Sequence, residues 1–96
     1  MAIDEVFRAL SDPTRREILR LLRAKDMTAG EIAEHFPLAK STLSGHFNVL
    51  KHAGLIVPER LGTSVVYSLN LAASEEALAA VLSVLGVGSP RKETRR

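Results

Sequence analysis

No cysteine occurs in the 96 residues. That absence excludes a disulfide framework, a thiolate metal site, a cysteine nucleophile and thiol redox sensing. Tryptophan is missing too, and the only aromatics are Phe7, Phe36, Phe47 and Tyr67. Long apolar runs are lacking: the longest, Ala77–Leu82, falls far short of the ~20 residues of a membrane helix. The first residues, Met1-Ala2-Ile3-Asp4-Glu5, turn acidic at once and hold no apolar segment of the secretory kind. A cytoplasmic protein without direct membrane insertion is therefore expected. No P-loop, glycine fingerprint or Ser-His-Asp constellation is visible, and His35, His46 and His52 form no i,i+4 pair. The chain is read as not an enzyme, with no cofactor and no metal site.

A strong excess of charge of one sign is also absent. Thirteen Lys and Arg against eleven Asp and Glu leave +2. Arg91, Lys92, Arg95 and Arg96, against Glu93, lie in the last six residues, so residues 1–90 carry nine bases and ten acids, net −1. Nucleic-acid binding must therefore rest on how charge is arranged. Between Leu38 and Leu69 the bases Lys40, Lys51 and Arg60 face Glu59 alone, a local net of +2.

What the chain does have is aliphatic material, 46% hydrophobic residues in all, arranged mostly at helical spacing. The length implies one domain, placed at 1–87, with a basic and disordered tail at 88–96. A domain of this size buries only about 60–65% of its unfolded surface, so this much apolar material points to a partner chain.

Ile3, Val6, Phe7 and Leu10 define a short first helix. Asp12 caps a second helix and Pro13 suits its first position. Ile18, Leu19, Leu21 and Leu22 form its inner stripe. Lys25-Asp26 connects to a capping box, Thr28-Ala29-Gly30-Glu31, opening a third helix with Ile32, Ala33 and Phe36 inward. Pro37 ends that helix. After two or three further residues a fourth begins, with Leu43, Phe47 and Leu50 on one face and Gly54 closing it. Two helices across so short a turn make a helix-turn-helix. Ile56–Leu61 and Ser64–Leu69 are β-type segments that read as a two-stranded hairpin, with Val65, Tyr67 and Leu69 alternating with Val66 and Ser68, and a last helix covers about Ala72–Leu85. The fold class expected is mainly α with a small β-hairpin, a winged helix-turn-helix in the order α-α-α-α-β-β-α.

The fourth helix carries Lys40, Ser41, Thr42, Ser44, Gly45, Asn48 and Lys51 away from its apolar face. The DNA major groove is about 12 Å wide and accepts a helix whose side chains point at base edges. Ser and Thr donate or accept there, Asn48 suits bidentate pairing with adenine, and Gly45 permits close backbone approach. An ordinary solvated helix face is the bland alternative; the preceding turn and following hairpin favour DNA contact. His46, beside the core-facing Phe47, fits a structural or a phosphate-contacting role. Arg60 and Thr63 belong to the candidate wing, where Arg60 either meets DNA or pairs with Glu59. Arg15 and Arg16 fit two readings equally, phosphate contact and plain surface charge.

From Ser11 to Leu69 the chain resembles the ArsR-type winged-helix repressors. The resemblance is carried by Leu10–Leu19 (Leu-Ser-Asp-Pro-Thr-Arg-Arg-Glu-Ile-Leu), by Met27–Ala33, by Ser41–Leu50 and by Ala53–Ile56. Within the family it looks most like the SdpR-type autorepressor branch, through Asp26–Ala33 and Tyr67–Asn70. The resemblance implies a homodimer that binds double-stranded DNA at an inverted-repeat operator and represses transcription, with helices 1 and 5 making the dimer. Ile3, Val6, Phe7, Leu78, Val81, Leu82 and Leu85 are then the expected interface. Helix 5 supports this independently, being apolar almost all round after Glu75-Glu76.

The chain departs from the family's metal-sensing pattern. Where many relatives carry Cys-x-Cys in helix 3 it has Thr28 and Gly30, and helix 5 has no His. Its only carboxylates there, Glu75 and Glu76, are expected in the first turn, where acids favour the helix dipole. No metal-responsive release is expected. Three routes of derepression stay open: control by concentration alone, sequestration by a protein partner, or an apolar ligand between the helices. Ala39 stands where many relatives have a capping Ser, a role Ser41 would take over. Phe47 replaces a more usual Leu, and Thr63-Ser64 stand where relatives often have further Arg. The near-neutral body and sparse wing leave one rival, a winged-helix protein-interaction module without DNA binding.

Overall fold

The computed structural model describes residues 3–87; the basic tail expected at 88–96 lies outside the described residues. Its elements follow the expected order with one addition. Helices α1 (Ile3–Leu10) and α2 (Pro13–Ala24) come first, then a short strand β1 (Met27–Thr28). Helices α3 (Ala29–Ala33) and α4 (Lys40–His52) precede strands β2 (Ile56–Leu61) and β3 (Ser64–Leu69), and α5 (Leu71–Leu85) closes the fold.

Local chemistry sets most boundaries. The Asp12 carboxylate accepts from the Thr14 and Arg15 amides at 2.7 and 3.2 Å, and Pro13 opens α2. Thr28 and Glu31 form the full capping box, with the Glu31 amide donating to the Thr28 hydroxyl at 3.0 Å and the Thr28 amide to the Glu31 carboxylate at 2.8 Å. Gly54, at φ 77°, ends α4. Its amide donates to the Lys51 carbonyl and the Leu55 amide to the Leu50 carbonyl, which satisfies two carbonyls the helix leaves open. The hairpin turn Gly62-Thr63 has positive φ at its first residue alone, the choice that suits the twist of a two-residue loop.

Four expectations need correction. The sheet has three antiparallel strands in the order β1-β3-β2, not two. Met27 pairs with Tyr67 and Thr28 with Val66. A two-residue strand is too short to show alternation, and only its distant partner defines it. Second, α3 ends at Ala33 and the connection to α4 runs from Glu34 to Ala39. Pro37 disfavours helical geometry at Phe36, and the chain leaves through shorter-range bonds from His35 to Ile32 and Phe36 to Ala33. Third, α5 starts at Leu71 on an Asn70 cap, so Glu75 and Glu76 sit in its second turn, beyond the strongest part of the dipole. Fourth, Ala39 precedes α4 without any side-chain cap, and Ser41 does not replace it.

The core is continuous. Val6, Ile18, Ile32, Leu43 and Leu50 are its fully buried large side chains, and no polar or charged side chain among the described residues is buried with them. Phe47 finds its room against Tyr67, with ring centroids 4.7 Å apart and planes at 32°. This pair joins α4 to β3, so the helix and the hairpin share one anchor. The phenol of Tyr67 is pushed above its ordinary value by burial.

Candidate nucleic-acid interface

Helix α4 buries Leu43, Phe47 and Leu50 and leaves the opposite side open. Lys40, Ser41, Thr42, Ser44, Gly45, Asn48 and Lys51 are all exposed, and His46 is half-buried. Ser41, Ser44, Asn48 and Lys51 recur at three- and four-residue steps, so they form one stripe along a helix about 20 Å long. The first turn keeps its free amides, because Ala39 has no side chain to accept from them. Among the described residues Lys40, Lys51 and Arg60 enter no ion pair. The expected rival for Arg60, a pair with Glu59, is not formed: successive residues of β2 point to opposite faces of the sheet.

Gly45 carries information of its own. A Cβ built there meets no heavy atom within 4 Å, and its φ is not positive. Nothing inside the chain demands glycine at that position. A glycine inside an exposed helix costs about 0.5–1 kcal/mol relative to alanine.

The wing also lies at the surface. Arg60, Thr63 and Ser64 are exposed. Thr63 and Ser64 border a small cleft whose other wall is Thr28, Ala29 and Gly30, so the hairpin tip approaches the start of α3. Arg60 shares a face of the sheet with Tyr67 and Val65, opposite Val65 across the ladder.

Arg15 and Arg16 are placed otherwise than a phosphate role suggests. The Arg15 Nε donates to the Ala9 carbonyl at 2.9 Å and one terminal nitrogen to the Arg8 carbonyl at 2.7 Å. The other terminal nitrogen lies 3.2 Å from Nδ1 of His46. Arg16 donates to the Leu10 carbonyl at 2.7 Å. Both guanidinium groups thus occupy the open carbonyls at the end of α1, and Arg15 also reaches α4. His46 is the α4 end of that brace, a structural position. Asp12 lies beside it. Partial desolvation raises its carboxyl, but the Arg15 and Thr14 amides, with His46 and Arg15 charge nearby, outweigh this and hold it below the usual carboxylate range. The capping amide of Thr28 likewise holds Glu31 low.

The expected dimer residues divide. Phe7, Leu78 and Leu85 are exposed at 45, 58 and 68%, and Ile3, Val81 and Leu82 are half-buried. Val6 is fully buried in its own chain, packed in the core, and has no surface for a partner. It belongs off the interface. Leu71, outside the expected interface set, is 66% exposed on the same stripe of α5 as Leu78 and Leu85, at seven-residue steps. Among the described residues no helix is long and apolar enough to cross a membrane, and no cluster of three or more metal-ligating side chains occurs.

Residues 10–59 match the helix-turn-helix domain family. The chain is 45% identical over 86 residues to the transcriptional repressor SdpR of Bacillus subtilis, covering 90% of this chain and 96% of that one. It is 35% identical to the arsenical resistance operon repressor of Staphylococcus xylosus over 71% of this chain, and spans 65% of that protein's length. Among solved structures, an ArsR-like transcriptional regulator from Rhodococcus sp. RHA1 superposes with a TM-score of 0.76 at 32% identity, over 88% of this chain and 78% of that one. With the helix-turn-helix, the wing and the apolar closing helix all in place, the chain belongs to the ArsR-type family of winged helix-turn-helix transcriptional regulators.

Proposed function

We propose that the protein is a homodimeric, sequence-specific repressor that binds an inverted-repeat operator in double-stranded DNA, most simply its own promoter. The observation that carries this reading is the open polar stripe of α4, with a glycine at its centre that the fold itself does not require. Ser41, Ser44, Gly45 and Asn48 would meet base edges in the major groove. Lys40, Thr42, Lys51, Arg60 and Thr63 would hold phosphate and sugar. The exposed apolar stripe of α5, with Phe7 and Ile3 of α1, would join two chains and so set the spacing of the half-sites. Its relatives are named as repressors, which supports repression by a non-enzymatic protein.

No sensing ligand set of the family's metal kind is expected here. Release by falling concentration, by a protein partner or by an apolar ligand between the helices is each compatible with this reading. The rival, an interaction module without DNA binding, is disfavoured because it leaves Gly45 and the unpaired Lys40, Lys51 and Arg60 unexplained.

A gel shift on the DNA upstream of the chain's own gene, at two salt concentrations, tests the proposal. Selective binding that weakens with salt, by a slope of about −0.9 for each phosphate neutralised, is expected. No selective complex at low salt would refute it in favour of the interaction module.

A further inference from the structure

We propose that the half-open cavity between α1, α2 and α5, floored by Leu55 and Leu69, binds an amphipathic aliphatic carboxylate, with its chain among the leucines and its headgroup at Arg20 and Arg23. The cavity holds about 400 Å³, within the range of small-molecule pockets. Leu10, Leu19, Leu55, Leu69, Ala77 and Val81 line it. Its one neutral polar side chain, Ser74, already donates its hydroxyl to the Asn70 carbonyl at 2.9 Å. No acid lines it, whereas two exposed arginines do. An apolar space bordered on one side by two positive charges selects a ligand with an alkyl chain and a single anionic end.

The arginines are available. Arg20 pairs with Glu17 at 2.7 Å, but that bridge is solvent-exposed and weak, and Arg23 enters no ion pair among the described residues. Exchanging the Glu17 carboxylate for a ligand carboxylate costs little. A second copy of the chain is the competing occupant, because Leu78 and Val81, both expected interface residues, also border the cavity and Leu78 is exposed. Most of the lining, however, belongs to the inside of the monomer: Leu55 is buried, and Leu10, Leu19 and Leu69 are half-buried.

The position gives the ligand a consequence. Leu55 supplies the amide that ends α4, and its carbonyl accepts from Asn70, the residue that caps α5. Leu69 ends β3. An occupant therefore touches the segment that follows α4, the end of the wing strand β3 and the helix proposed to dimerise. Differential fit between two arrangements of these segments would couple binding to DNA release. This coupling rests on the repressor reading; the binding itself does not.

The test is calorimetric titration of the full chain with decanoate, decan-1-ol and decyltrimethylammonium, each below its aggregation threshold. The same titrations are run on Arg20→Gln/Arg23→Gln, whose folding is checked by its thermal melt. Saturable binding of decanoate is expected, weakened about tenfold or more in the double variant, since charge-assisted bonds to the headgroup are lost. The alcohol should bind more weakly and be indifferent to the variant, and the cation should not bind. No saturable decanoate binding up to about 1 mM, equal affinity in the variant, or equal binding of the cation each overturns the proposal. So does decanoate binding confined to dissociated chains in sedimentation, which assigns the cavity to a second copy. Ligand binding by a chain that binds no DNA even when unliganded would refute the repressor reading and leave the site standing.

Discussion

Replacing Gly45 by alanine should strengthen the fold and weaken the function. The added methyl meets no heavy atom of the chain within 4 Å, and the residue is not in the left-handed region. The gain is therefore the helix-propensity difference alone, about 0.5–1 kcal/mol. For a domain of this size that raises the melting temperature by roughly 2–8 °C. In the proposed complex with DNA the same methyl would stand where the helix approaches the groove most closely. Crowding one methyl into a well-packed contact costs about 1–3 kcal/mol, a loss of about 5- to 150-fold in affinity. Melting at fixed protein concentration and gel shifts on the operator measure the two effects separately. A lower melting temperature would show that the site is not open. A higher one with unchanged operator affinity would show that no close approach occurs, and the functional reading of Gly45 would fall. Gly54 is the contrast: it is equally open, but its φ of 77° makes alanine destabilising there.

Asn48→Ala should relax sequence preference at one operator position, costing about 1–3 kcal/mol on the preferred base, whereas Arg60→Ala should weaken all sequences and flatten the salt slope by about one; titration of single-base operator variants separates them. Equal loss on every sequence for Asn48→Ala would reject its base-reading role. Arg15→Ala removes the brace to the Arg8 and Ala9 carbonyls and to His46, and should destabilise the protein by about 1–3 kcal/mol in urea unfolding; unchanged stability with weakened DNA binding would return Arg15 to a phosphate role. Because the folded Asp12 carboxyl is held low, its contribution is fully present above the unfolded value of about 3.9 and is lost as pH falls through the folded value. The stability gap between wild type and Asp12→Asn should therefore close on acidification below about pH 4, and a gap constant through that range would contradict the cap. Leu85→Glu places charge on an exposed position of α5, so it should leave the monomer fold intact and shift sedimentation toward the monomer. An undisturbed dimer would move the interface elsewhere.

Much of the molecule was legible from short-range pattern. The Asp12-Pro13 start, the Thr28–Glu31 capping box and the Gly54 stop each act within a few residues, and the structure has all three. The hairpin bounds, Ile56–Leu61 and Ser64–Leu69, follow from two β-type segments placed around one glycine turn. The polar stripe of α4 was equally visible, because a helix of known phase displays its faces in the sequence. Where local signals compete, legibility drops: Pro37 was read as the end of α3, but its effect on Phe36 unwinds the helix three residues sooner.

What only the tertiary structure decided involves residues far apart in the chain. Arg15 is an exposed base by composition, and becomes a brace because the end of α1 and the middle of α4 converge on it. Phe47 is an oversized core residue until Tyr67 stacks on it and ties the reading helix to the wing. Val6 and Phe7 look alike as apolar neighbours, yet one is fully buried in its own chain and the other lies 45% exposed. Strand β1 exists only because β3 passes beside it. Periodicity and caps are set by backbone geometry over a turn or two, so the sequence alone determined the helices, the hairpin and the polar face of α4. Which side chains are consumed inside the fold depends on how those elements pack, and the packing sums many distant contacts that no local spacing records.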